Sequence, residues 1–179
     1  MRGHSNMDMT PNEIKKILNE SIKELLEKDS CLLEVDVSER AITHKLAEYL
    51  QRQIPYLNVD CEYNRNTSQG NIKSKGIIIK PEPKSIISLR GERISTFPDI
   101  IVHRRMRNDE NLLIVEVKKR KARASCENDF RKLKAFTENT ERNSYHFKYG
   151  VFILLNTGNE KPQKTEVTWF REGRIAPEM

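Results

Sequence analysis

Apolar positions recur along this chain with a helical period first and a strand period later. Ile14, Ile17, Leu18, Ile22, Leu25 and Leu26 fall on one helical face. Thr10-Pro11-Asn12-Glu13 precedes them as a helix start. Thr10 can cap, Pro11 suits the first turn, and Glu13 can close a capping box. A helix is therefore expected over 10–28. A second is expected to begin at Asp36-Val37-Ser38-Glu39, with Ile42, Leu46, Tyr49 and Leu50 on one face. Glu39 shares that face at the helix start, and Glu48 points the opposite way. Pro55 ends the element, because proline cannot continue a helix.

Residues 59–64 read as a strand. Residues 65–75 are rich in Asn, Ser, Gly and Lys and read as a turn or loop. Two short apolar runs, 77–79 and 86–89, are separated by Pro81 and Pro83. The stretch 65–97 is thus expected to be an irregular insertion or a hairpin, which leaves the pairing of the 59–64 strand open. Residues 99–103 and 112–117 read as two buried strands joined by the polar turn 104–111, an antiparallel hairpin. A helix over 128–137, a strand over 149–155 and a last, edge strand over 165–170 complete the pattern. This order predicts an α/β fold with a central mixed β-sheet flanked by helices on both faces. Residues 10–179 are expected to form one domain, and residues 1–9 a disordered start or an expression remnant.

The hairpin carries the candidate chemistry. Pro98-Asp99 opens its first strand and Glu116-Val117-Lys118 closes its second. Alternation places Glu116 and Lys118 on one face and turns Val117 to the other. Antiparallel pairing then brings Asp99 beside Glu116 and Lys118, far apart as they are in sequence. Ile100-Ile101-Val102 and Leu112-Leu113-Ile114-Val115 make both strands apolar, and unpaired charge at the ends of buried strands is costly. A hard divalent cation satisfies two such carboxylates. Magnesium takes oxygen ligands and keeps waters while bound by one or two carboxylates plus phosphate. The Val117 carbonyl offers a further oxygen, and Lys118 can hold a metal-bound water or neutralise a reacting phosphate. Taken singly, Asp99 is as well read as a strand-start residue, and Glu116 and Lys118 as cross-strand ion-pair partners; their convergence favours a site.

In these features the chain resembles the PD-(D/E)XK nuclease superfamily, the restriction-endonuclease-like fold. The resemblance rests on Pro98-Asp99 and Glu116-Val117-Lys118, on the preceding helix with Glu39, and on the basic segment Asp129-Phe130-Arg131-Lys132-Leu133 that follows. It spans roughly 36–155. It implies a metal-dependent phosphodiesterase, an endonuclease before an exonuclease, with Asp99, Glu116 and Lys118 catalytic. It further implies Mg2+ held by Asp99, Glu116, the Val117 carbonyl and Glu39, with Mn2+ able to substitute. Glu39 has a second reading, because Asp36-Val37-Ser38-Glu39 also fits a capping box in which Glu39 bonds back to its own helix start.

Composition sharpens the partner. The chain has 179 residues and a formal charge of +6. Lys118, Lys119, Arg120, Lys121, Arg123, Arg131, Lys132 and Lys134 crowd one stretch, and His103 to Arg107 form a second basic run. Such runs are usually solvated faces, but beside the candidate site they suit a polyanion. Lys119, Arg120, Lys121, Arg131, Lys132 and Arg104 are accordingly expected on nucleic acid, DNA before RNA. The histidines show no ligand spacing, and Trp169 and Tyr145 read as packing residues before base-stacking ones. There is no Gly-rich phosphate loop. Cys31, Cys61 and Cys126 form no disulfide framework and point to a reducing, cytoplasmic setting. No stretch reaches the roughly 18–20 apolar residues of a membrane span, and the start shows no signal peptide. Restriction, repair, junction and mobile-element processing all suit this reading, and a homodimer is plausible by resemblance. The alternative is an inactive nucleic-acid-binding or protein-interaction domain of the same fold, with the first helix as a docking surface.

Overall fold

The structure is a computed structural model. It describes residues 9–63, 97–107, 109–121, 126–140, 145–158 and 165–177, and the backbone of 65–68, 71–74, 76–79 and 92–95. Three helices come first: α1 (Pro11–Lys28), α2 (Ser30–Glu34) and α3 (Glu39–Gln53). Then follow β1 (Asn58–Cys61), β2 (Arg65–Ser68), β3 (Asn71–Ser74), β4 (Gly76–Ile79), β5 (Glu92–Ser95), β6 (Ile100–His103) and β7 (Asn111–Lys119). Helix α4 (Glu127–Thr137) leads to β8 (Tyr149–Leu155), β9 (Thr165–Arg171) and β10 (Arg174–Ile175).

The chain is an α/β protein built on a six-stranded mixed sheet in the order β1-β6-β7-β8-β9-β10. Only β7 and β8 run parallel. A parallel neighbour needs a crossover, and α4 lies in that connection. Alternation along the strands divides the core in two. Ile100, Val102, Leu113, Val115, Val117, Val151 and Ile153 pack with Ile14, Leu18 and Leu25 of α1 and Ile42, Leu46 and Leu50 of α3. Ile101, Ile114, Phe152 and Phe170 pack with Leu133 and Phe136 of α4 on the other face. Helices therefore cover both faces, as the pattern predicts, and the apolar side of α1 is core. Among the described residues no helix is long and apolar enough to cross a membrane.

Local chemistry explains the element ends. Thr10 and Glu13 close the expected capping box on α1. Ser38 caps α3 by accepting from the Ala41 N–H, so Asp36 is not the cap and the capping-box reading of Glu39 is overturned. Asp36 instead takes the left-handed conformation, φ 55°, between α2 and α3.

The stretch 65–97 overturns the turn or loop expected over 65–75, while its hairpin alternative finds support in β4 and β5. Its first part is an antiparallel hairpin of β2 and β3, not a loop. Strand β4 takes the 77–79 run and pairs with β5, while the 86–89 run lies outside the described residues. β1 pairs antiparallel with β6, which settles the partner left open by the sequence. β10 lies outside β9 and takes the edge. The expectation for residues 1–9 falls outside the described residues except at Met9. That residue is buried, and its carbonyl accepts from Lys148 and Tyr149.

Gly150 of β8 stands close against α4 and β9. A Cβ there would stand 3.0 Å from Thr137 Cγ2 and 3.2 Å from Phe170 Cβ. Thr137 is fixed by its hydroxyl bond to the Leu133 carbonyl, 2.8 Å, and Phe170 Cβ moves only with the β9 backbone. Gly150→Ala is therefore expected to destabilise the fold by about 1–3 kcal/mol, read as a lower urea midpoint with unchanged slope.

Candidate active site

The site follows from a fork in the sheet. Ile100 pairs with Val115, and there β6 begins. Before that point the chain stays with β1, since the Glu62 N–H donates to the Pro98 and Asp99 carbonyls. β7 runs on to Lys119, paired with β8 on its other side as far as Leu155. The Arg120 N–H donates to the Leu155 carbonyl at 2.8 Å. By strand alternation the N–H groups of Val117 and Lys119 therefore face the side that β6 has left.

Two carboxylates take those orphan donors. Asp99 Oδ2 accepts from the Val117 N–H at 2.7 Å. Glu39 Oε2 accepts from the Lys119 N–H at 2.8 Å. These charge-assisted bonds stand in for the missing ladder. Glu39 thus caps a strand end across the core instead of its own helix. Strand geometry turns the Val117 carbonyl to the same unpaired side.

On the α4 face stand Glu116 and Lys118, as alternation requires. Glu116 is 3% exposed. Its Oε2 accepts from Lys132 Nζ at 3.2 Å, and its buried Oε1 has no hydrogen-bond partner among the described residues. Burial, and then the Asp99 charge, push the Glu116 carboxyl up to about 8. Burial likewise raises Asp99 to about 6, although the Val117 N–H pulls the other way. Each carboxylate is thus desolvated; Glu116 also feels the Asp99 charge, and Asp99 the charges of Glu39 and Asp129.

The lysines are arranged differently from the motif-based expectation. Lys132 Nζ bridges Glu116 and Asp129 Oδ1, 3.0 Å away. Lys118 Nζ lies 3.0 Å from Asp129 Oδ2. Charges therefore alternate along Glu116, Lys132, Asp129 and Lys118. Burial alone would lower Lys132, but the Glu116 charge and the Asp129 bond outweigh it and hold the ammonium above its ordinary value. Lys132 stays protonated at neutral pH, which suits charge stabilisation better than proton abstraction. Asp129 is the residue that sequence reasoning passed over. Its signal was present in the i, i+3 spacing to Lys132 on the helix after the motif.

The expected nucleic-acid contacts are scattered. Lys119 Nζ donates to the Val37 carbonyl and pairs with Asp36, both at 2.9 Å. Arg120 pairs with Glu166 and Asn156. Arg104 pairs with Glu110, and Arg105 with Asp60. Lys121 is exposed, and Arg131 is half-buried on α4. His103 is buried with Nε2 2.9 Å from Asp60, and Trp169 and Tyr145 are buried in the core.

Among the described residues, no three His, Cys, Asp or Glu side chains gather closely enough to hold an ion by themselves. The donor set at the fork suits a cation that keeps water or phosphate oxygens as its other ligands. Asp99 has one oxygen beyond its backbone bond, Glu116 has its orphaned Oε1, and Val117 has its carbonyl. Glu39 spends an oxygen on Lys119 and stands on the α3 side, so it is the weakest member of the expected set. No family model, curated protein or solved structure matches the chain.

Two outcomes follow. Both carboxyls hold protons more tightly in the folded chain than in the unfolded one, where carboxyls titrate near about 4. The folded state therefore carries more protons between that range and the raised values, and stability falls as pH rises through this span. Urea unfolding in a chelator is expected to show stability declining from pH 5 to 8, with a clearly shallower decline in Glu116→Gln. Separately, Glu39→Ala should cost about 1–3 kcal/mol in the metal-free protein by loss of the strand cap. Unchanged stability would remove that cap from the account.

Proposed function

We propose that this chain is a metal-dependent nuclease of the PD-(D/E)XK, restriction-endonuclease-like kind, hydrolysing phosphodiester bonds with DNA as the favoured substrate. The observation that carries this reading is the buried, half-satisfied Glu116 carboxylate set against Asp99 at the fork between β6 and β7. A buried charge of this kind is costly until paired. One ammonium already lies on Glu116 Oε2, and a divalent ion suits the remaining oxygen and the Asp99 carboxylate together. The arrangement of a mixed sheet with helices on both faces agrees with the fold that the resemblance implies.

Magnesium, or manganese in its place, would supply Lewis-acid polarisation of the phosphate and an activated water. Asp99 and Glu116 would hold it, with the Val117 carbonyl as a further oxygen. The chain's own part is to fix those oxygens by the Val117 N–H bond and the strand pairing, to exclude water by the apolar flanks of β7, and to present ammonium groups to the phosphate. The cluster of Lys132, Asp129 and Lys118 supplies that positive charge. Lys121, exposed after β7, and Arg131, half-buried on α4, would be basic residues that meet a backbone outside the site.

A non-catalytic nucleic-acid-binding or protein-interaction domain of the same fold remains the second reading. The ion pairing of Arg104, Lys119 and Arg120 favours it, because those cations are already partly neutralised. The intact Asp99, Glu116 and lysine cluster favours catalysis.

The decisive assay incubates purified protein with supercoiled plasmid, linear duplex, single strand, branched junction and RNA, with Mg2+ or with chelator. Mg2+-dependent cleavage of at least one DNA is expected. Asp99→Asn and Glu116→Gln should each cut at least about a hundredfold more slowly while retaining DNA binding. Cleavage that survives in both variants, or in chelator, would overturn the assignment.

A further inference from the structure

We infer that Lys132 of α4, rather than Lys118 of β7, is the lysine that acts at the Glu116 end of the site, and that Lys118 is a positioning residue working through Asp129. This rests on the metal-dependent nuclease reading and names which ammonium serves it.

The geometry separates the two lysines. Lys132 Nζ bonds directly to a Glu116 oxygen at 3.2 Å and to Asp129 Oδ1 at 3.0 Å. Lys118 Nζ sits on the opposite oxygen of Asp129, at 3.0 Å. One aspartate therefore orients both ammonium groups, and Lys132 is the lysine bonded to the carboxylate whose other oxygen is short of a partner among the described residues. The sequence pattern puts Lys118 two residues from Glu116 on the same face, yet the side chain is drawn to α4. Lys132 reaches inward from the first turns of that helix, where Asp129 is also favoured by the helix N-terminus.

Charge gives a test that does not depend on turnover. An ammonium bonded to a cation's ligand repels that cation, and a divalent ion feels the repulsion twice as strongly as a proton does. Removing the Lys132 charge should therefore tighten divalent binding even though protons compete at Glu116. A lysine needed for charge on the reacting phosphate should also be lost to cleavage. Tighter metal with lost cleavage is a signature that simple misfolding does not produce.

The experiment measures Mn2+ binding by calorimetry and DNA cleavage in parallel for the full chain, with melting temperature as the folding control. Lys132→Met is expected to bind Mn2+ about tenfold more tightly and to cut at least about a hundredfold more slowly. Lys132→Arg, which keeps the charge, should hold near-wild-type Mn2+ affinity and recover part of the cleavage. Lys118→Met and Asp129→Asn should show smaller losses of cleavage than Lys132→Met. The inference is overturned if Lys132→Met binds Mn2+ no more tightly than wild type, or if Lys118→Met shows the paired signature instead. Wild-type protein that binds Mn2+ but cuts nothing leaves the affinity comparison to judge the placement of Lys132 and counts against catalysis. Wild-type protein that binds no Mn2+ removes the metal reading and this inference with it.

Discussion

Placing the Glu116 carboxylate inside β7 is the constraint around which this end of the molecule is arranged. The strand is otherwise apolar, and on its own a charge there would cost more than the fold can spare. Three things make it tolerable. Its carboxyl holds a proton well above the ordinary range. Lys132 reaches in from α4 to one of its oxygens. Asp129 and Lys118 then extend the pairing along the cluster. Replacing such a group by an apolar side chain would suit stability at least as well, so its presence points to use rather than to support.

The fork in the sheet supplies the second half of the arrangement. When β6 stops, the Val117 and Lys119 N–H groups lose their ladder, and Asp99 and Glu39 replace it. The same bond that completes the strand fixes Asp99 in position beside Glu116. Structure and chemistry are therefore tied at one residue: a change that frees Asp99 also unpairs β7. Glu39 completes the strand end from the α3 side, one of its oxygens turned to the Lys119 N–H.

How much of this was legible in the sequence depended on the range of the interaction. Strand alternation and hairpin pairing are local rules, and they placed Asp99 at the start of β6 and Glu116 and the opposite turn of Val117 on β7. The helical period and the Thr10-Glu13 box gave α1 nearly to the residue. Glu39 could not be resolved in this way, because its partner lies 80 positions away and is a backbone group. The pairing of Lys132 with Glu116 was equally hidden, since it depends on how the crossover lays α4 over β7. The four-residue strands of 65–95 are too short for alternation to stand out from a polar loop. The basic runs show their cations in the sequence, while Asp36, Asp60 and Glu166, which pair with several of them, arrive from other elements.

The central claim is that Asp99 and Glu116 share one divalent ion. Anomalous diffraction from crystals soaked in Mn2+ addresses it without reference to turnover or substrate. The account predicts a single strong manganese peak at the fork, with Asp99 and Glu116 oxygens both at bonding distance, about 2.1–2.2 Å. A protein that takes up no manganese between these two side chains, with Glu116 still bonded to Lys132 alone at saturating metal, would contradict it.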